Sequence, residues 1–92
     1  MGLFGTDITK SLNQSDLQLA EVALIYAKFH GGSISGAAAD ELRTKIQNKK
    51  SFSKSDLQAL AGCIRGMAAR SGQDVQLNKA EALALAARIE KL

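Results

Sequence analysis

The 92-residue sequence has no proline, no tryptophan, one cysteine, one histidine and only 4% aromatic residues. Missing prolines remove the usual markers of long loops and edge strands, and fit short helix-to-helix connections. With so few aromatics, the core must come from Leu, Ile, Val and Ala. Such side chains let helices approach closely, but each buries little area. A lone Cys63 cannot close an internal disulfide, which fits a reducing compartment. No apolar run reaches the ~18 residues of a membrane span and no secretory pattern is present, so a cytoplasmic location without membrane association is expected.

Site chemistry is equally sparse. One His and one Cys cannot close a zinc site. A thiolate nucleophile needs a base and a group to orient it, and His30 and Cys63 could meet only if the middle of the third helix lay beside the end of the first. No Gly-rich phosphate loop or Walker pattern occurs. The expectation is therefore no enzyme, no cofactor, no metal and no small-molecule substrate.

What is present is an ordinary globular balance of 46% hydrophobic and 23% charged residues, which excludes a disordered tail. The net charge of +3 is unevenly spread. Residues 1–42 hold five acids against two bases. The stretch 43–54 holds Arg43, Lys45, Lys49, Lys50 and Lys54 with no acid at all. Some of that positive charge suits the end of a helix, and some could contact phosphates.

Four segments carry helical signatures. The first is expected to start at Ser15, with Gln18 completing a capping box. Leu17, Ala20, Leu24 and Ala27 line one face of it, Val22, Ala23, Tyr26 and Phe29 widen that face, and Gly31 and Gly32 stop it. The second starts at Ser35 with Ile34 as a hydrophobic staple, anchored by Leu42 and Ile46. The third is expected at Ser55 with Gln58, with a stripe of Leu57, Leu60, Ile64 and Met67. The fourth starts at Asn78 with Glu81, and presents Leu85, Ile89 and Leu92.

The segments repeat. The first and third align at an offset of 40 through a shared Ser-Asp-Leu-Gln, and the second and fourth align at an offset of 43. The expected fold is all-α: a compact four-helix domain over 1–92, built from two similar αα-hairpins (15–50 and 55–92) behind an N-terminal arm (1–14). Leu3, Phe4, Ile8 and Leu12 would pack the arm over the bundle. Gly62 and Gly66, four apart inside the third helix, suggest close approach of another backbone.

The string "HGGSIS…ADEL" resembles the Asp-Gly-x-Ile-Ser…Glu hairpin of TerB-like helical domains associated with tellurite resistance, and also a degenerate EF-hand. The likeness covers roughly residues 17–46, with a fainter echo in 57–89. His30 and Gly31 stand where acids would be expected, and Ala38 or Ala39 where a Glu would be. The resemblance implies a fold, with metal binding lost, since Ca²⁺ needs clustered oxygen ligands.

The functional expectation is a small protein–protein interaction module: an adaptor, regulator or inhibitor, with homodimerisation in keeping with its size. Small proteins of phage or mobile-element origin share this profile. The contact residues expected are Val22, Ile25, Tyr26 and Phe29 on the over-apolar first helix, with Arg65 as a polar partner. The alternative is nucleic-acid binding, or contact with an acidic protein, through Arg43, Lys45, Lys49, Lys50 and Lys54. No aromatics interleave with these cations for base stacking.

Overall fold

A computed structural model describes residues 5–31, 34–70, 72 and 77–92. Among them are five helices and no strand: α1 (Ile8–Ser11), α2 (Gln14–His30), α3 (Gly36–Gln47), α4 (Lys54–Ala69) and α5 (Lys79–Glu90). The fold is all-α as expected, with one short helix, α1, inside the segment read as an arm. Leu3 and Phe4 lie outside the described residues.

Two helix starts differ from expectation. The N-cap of α2 is Asn13, whose side chain accepts the Asp16 N–H at 2.8 Å. The N-cap of α4 is Ser53, in a complete capping box with Asp56. Both caps lie two residues before the serines that the Ser-Asp-Leu-Gln string suggested. The reason is the apolar residue just before each cap. Leu12 precedes Asn13 and Phe52 precedes Ser53, and both are buried. Leu17 and Leu57 stand at the fourth helical position, the spacing of a hydrophobic staple. A start at Ser15 or Ser55 would put a polar residue at the staple position. The caps Ser35 and Asn78 stand where the sequence places them, accepting from Ala38 and Glu81.

α3 ends in a Schellman-type cap. The Lys50 N–H donates to the Lys45 carbonyl at 2.8 Å and the Lys49 N–H to the Ile46 carbonyl at 3.2 Å. This puts Lys49 at φ 56°, a left-handed position usually filled by glycine.

α2 packs on α3, α4 on α5, and α2 on α4. The core is built of small and aliphatic side chains. At the offset of 40, Ala20, Ala23, Leu24 and Ala27 of α2 match Leu60, Cys63, Ile64 and Met67 of α4, and all eight are buried. At the offset of 43, Ala39, Leu42 and Ile46 match Ala82, Leu85 and Ile89, again all buried. Leu92, expected in that stripe, is exposed.

The ion pairs follow the same correspondence. Asp16 of α2 accepts two hydrogen bonds from Arg88 of α5, at 3.2 and 3.3 Å. Asp56 of α4 accepts one from Lys45 of α3 at 2.5 Å. Asp16 and Asp56 are equivalent at offset 40, and Lys45 and Arg88 at offset 43. Each aspartate therefore reaches across to the base supplied by the other half of the chain.

Ahead of α2 the chain is tied to the α3–α4 connection. Thr6 and Phe52 exchange backbone hydrogen bonds of 2.9 and 2.8 Å in an isolated antiparallel bridge. Asp7 caps α1, accepting from the Thr9 N–H at 2.9 Å, and Ile8 is fully buried. The approach is close: a Cβ on Gly5 would come within 2.4 Å of the Ser51 Cβ and 2.9 Å of the Phe52 carbonyl.

Candidate functional site

The core face of α2 is formed by Ala20, Ala23, Leu24 and Ala27. At 100° per residue, the opposite face carries Gln18, Val22, Ile25 and Phe29. Val22 is 50% exposed, Ile25 36% and Phe29 72%. Val22 and Phe29 therefore do not widen the core stripe; they form a second apolar stripe directed away from it. Leu19 and Tyr26 flank this stripe on one side and are half-buried; Glu21 and Lys28 flank it on the other.

The second half of the chain offers an internal comparison. At offset 40, Val22, Ile25 and Phe29 correspond to Gly62, Arg65 and Ala69. α4 sits in the equivalent position and folds without any large apolar residue there. The stripe on α2 is thus not a requirement of this packing. Exposed apolar side chains that cluster, rather than scatter, mark interaction surfaces.

Arg65 is placed elsewhere. Its guanidinium donates to both carboxylate oxygens of Glu90 on α5. Hydrogen bonds from Arg65 hold the Glu90 carboxyl below its ordinary value, and those to Glu90 raise Arg65. It occupies an intramolecular ion pair rather than extending the α2 stripe.

The C-terminal end of α2 borders a cleft of about 270 Å³ lined by Tyr26, His30, Cys63, Gly66, Met67 and Arg70. The His30 ring stacks on Tyr26 with centroids 4.4 Å apart. The only histidine, on α2, and the only cysteine, on α4, thus line one cleft. Among the described lining residues there is no carboxylate to orient the imidazole, and Cys63 is buried. Gly66 does not mark a close helix crossing, because a Cβ there would meet nothing within 4 Å.

The basic stretch divides. Lys45 is half-buried against Asp56, and Arg43 lies 3.9 Å from Asp40 with its Nε buried and unpartnered. Asp40 also holds Lys28 at 2.9 Å, tying α3 to α2. Lys49, Lys50 and Lys54 are exposed. Among the described residues no group of three His, Cys, Asp or Glu could hold a metal ion, and no helix is long and apolar enough to cross a membrane.

The sequence puts Val22, Ile25, Tyr26 and Phe29 on one helix as apolar contact residues, and leaves open whether that arc, which also widens the core stripe, is buried inside or at an interface. The 3.6-residue period was legible. Which of two apolar arcs faces inward depends on the neighbouring helices. No protein-family model, curated protein or solved structure matches this chain.

Proposed function

We propose that this chain is a non-enzymatic protein–protein interaction module whose contact surface is the outward face of α2. The observation that carries this reading is the asymmetry between matched helices. Val22, Ile25 and Phe29 stand exposed where α4 carries Gly62, Arg65 and Ala69. The matched caps, matched core positions and reciprocal ion pairs support a duplicated αα-hairpin as the scaffold. The first hairpin carries the apolar face and the second does not. The TerB-like likeness belongs to this scaffold alone.

The test is capture from an extract of the native host, with the wild-type protein and a Val22→Asp/Phe29→Asp variant as baits. Both side chains are exposed, so the variant should stay folded, with stability changed by less than about 1 kcal/mol. Proteins retained by the wild type are expected to be lost by the variant. An unchanged set of retained proteins would sink this reading.

The basic stretch supports the nucleic-acid alternative less well. Arg43 and Lys45 face acids within the fold, which leaves Lys49, Lys50 and Lys54 for phosphates. Three cations predict a salt dependence no steeper than a log–log slope of about −3, with binding to generic DNA or RNA fading at physiological salt. Fluorescence anisotropy across a salt series measures this directly. Tight binding with a steeper slope would promote the alternative above the protein-contact reading.

A further inference from the structure

The outward stripe of α2 repeats, on exposed residues, the heptad spacing of its core face. Gln18, Val22, Ile25 and Phe29 are separated by four, three and four residues, the alternation of the seam in a two-stranded coiled coil. In heptad terms Val22 and Phe29 are a positions, and Gln18 and Ile25 are d positions. The e positions are then Leu19 and Tyr26, both half-buried and apolar. The g positions are Glu21 and Lys28, of opposite charge and on the flank facing α3.

The flanks decide orientation. In a parallel pair each g residue meets an e residue of the other helix. Here that would set Glu21 against Tyr26, charge against apolar surface, and leave Lys28 with no facing residue in α2. In an antiparallel pair g meets g and e meets e. Glu21 of one chain then faces Lys28 of the other, twice by symmetry, and Leu19 faces Tyr26. The same register places Val22 against Ile25 in the two central layers and Gln18 against Phe29 in the two outer ones. One register thus satisfies seam, apolar flank and charged flank together, and the helix dipoles oppose.

We infer that the occupant of this face is a second copy of the same chain, bound antiparallel through α2 about a twofold axis between residues 23 and 24. This rests on the protein-contact reading above and names its partner. A two-fold contact is self-complementary by construction, so the same Glu21 and Lys28 serve both sides. The 17 residues of α2 span about 25 Å, so the seam is short. The interface falls at the small end, below about 1,200 Å² in total, and the dimer is concentration-dependent.

Sedimentation equilibrium of the full chain tests this. The wild type is expected to shift from the 9.7 kDa monomer toward twice that mass as concentration rises to ~1 mM. Glu21→Lys brings like charges together at both symmetry-related contacts of the charged flank and should raise the dissociation constant about tenfold or more. Ile25→Asp should abolish the dimer. An equimolar mixture of Glu21→Lys and Lys28→Glu chains should recover it as a heterodimer, because each g contact again joins opposite charges. Circular dichroism of each variant alone establishes that it is folded; Lys28→Glu also loses its pair with Asp40, so Glu21→Lys and Ile25→Asp decide the matter if it unfolds. A wild type that stays monomeric, or a dimer unmoved by both Glu21→Lys and Ile25→Asp, overturns the inference. If the chain is monomeric yet still retains host proteins through Val22 and Phe29, the face is correct and its partner is a different protein.

Discussion

Phe52→Ala is expected to destabilise the protein by about 3–5 kcal/mol, a large part of the 5–15 kcal/mol available to a small domain. Phe52 is the largest of the fully buried side chains, in a core otherwise made of Leu, Ile, Ala, Met and Cys63. It stands one residue before the N-cap of α4, in staple position to Leu57. Its backbone also holds Thr6 through the only isolated bridge among the described residues. Truncation therefore opens a cavity that small neighbours fill poorly, and loosens the tie to the segment carrying Ile8. The same chemical change at Phe29, which is 72% exposed, should alter stability by no more than about 0.5 kcal/mol. Denaturant unfolding of the two variants side by side makes the comparison. Equal losses would mean that Phe52 does not pack as described.

Asp56→Ala is expected to cost about 2–3 kcal/mol, a fall in Tm of roughly 10–20 °C. One carboxylate does two jobs. It accepts the Ser53 N–H at 3.0 Å, closing the capping box of α4, and it accepts from Lys45 at 2.5 Å, fastening α3 to α4. Burial is the largest influence on its pKa and pushes it up. The Lys45 hydrogen bond, the Ser53 backbone N–H and the Lys45 charge together outweigh burial and hold it below the ordinary 3.8. A carboxyl depressed in the folded state stabilises fully above its unfolded pKa and loses that contribution as pH falls through the folded value. The gap between wild type and Asp56→Ala should thus be widest above about pH 4 and close in more acidic solution. Thermal melts from pH 7 to pH 2 would show this, and a gap independent of pH would remove the charge from the explanation. Asp16→Ala should cost less, because the paired Arg88 side chain is 56% exposed and water screens the pair.

The caps show how much local sequence could specify. Ser35 and Asn78 were legible because each is followed at once by an Ala-rich amphipathic run. Asn13 and Ser53 were obscured by the serines two residues later. Both candidates offer a side-chain acceptor, and the tie is broken by burial of Leu12 and Phe52, a property of the assembled core. α1 escaped notice for a related reason. Four residues make no periodic pattern, and a helix that short is held by the burial of Ile8 and by the bridge to Phe52 rather than by its own propensity.

The basic stretch shows the opposite limit. Five cations without an acid read as one patch, yet Lys45 and Arg43 point at Asp56 and Asp40. Sequence separation hides the first of these pairings, because it crosses between two helices.

Composition, periodicity and the two offsets were enough to determine an all-α chain with its helices in their approximate places, because caps and apolar spacing act over three or four residues. Tertiary structure alone decided which arc of α2 faces inward. α3 and α4 cover Ala20, Ala23, Leu24 and Ala27, where small side chains allow close approach, and leave the bulkier Val22, Ile25 and Phe29 outside. Tight helix packing rewards the smaller face, and hydrophobicity by itself does not rank the two.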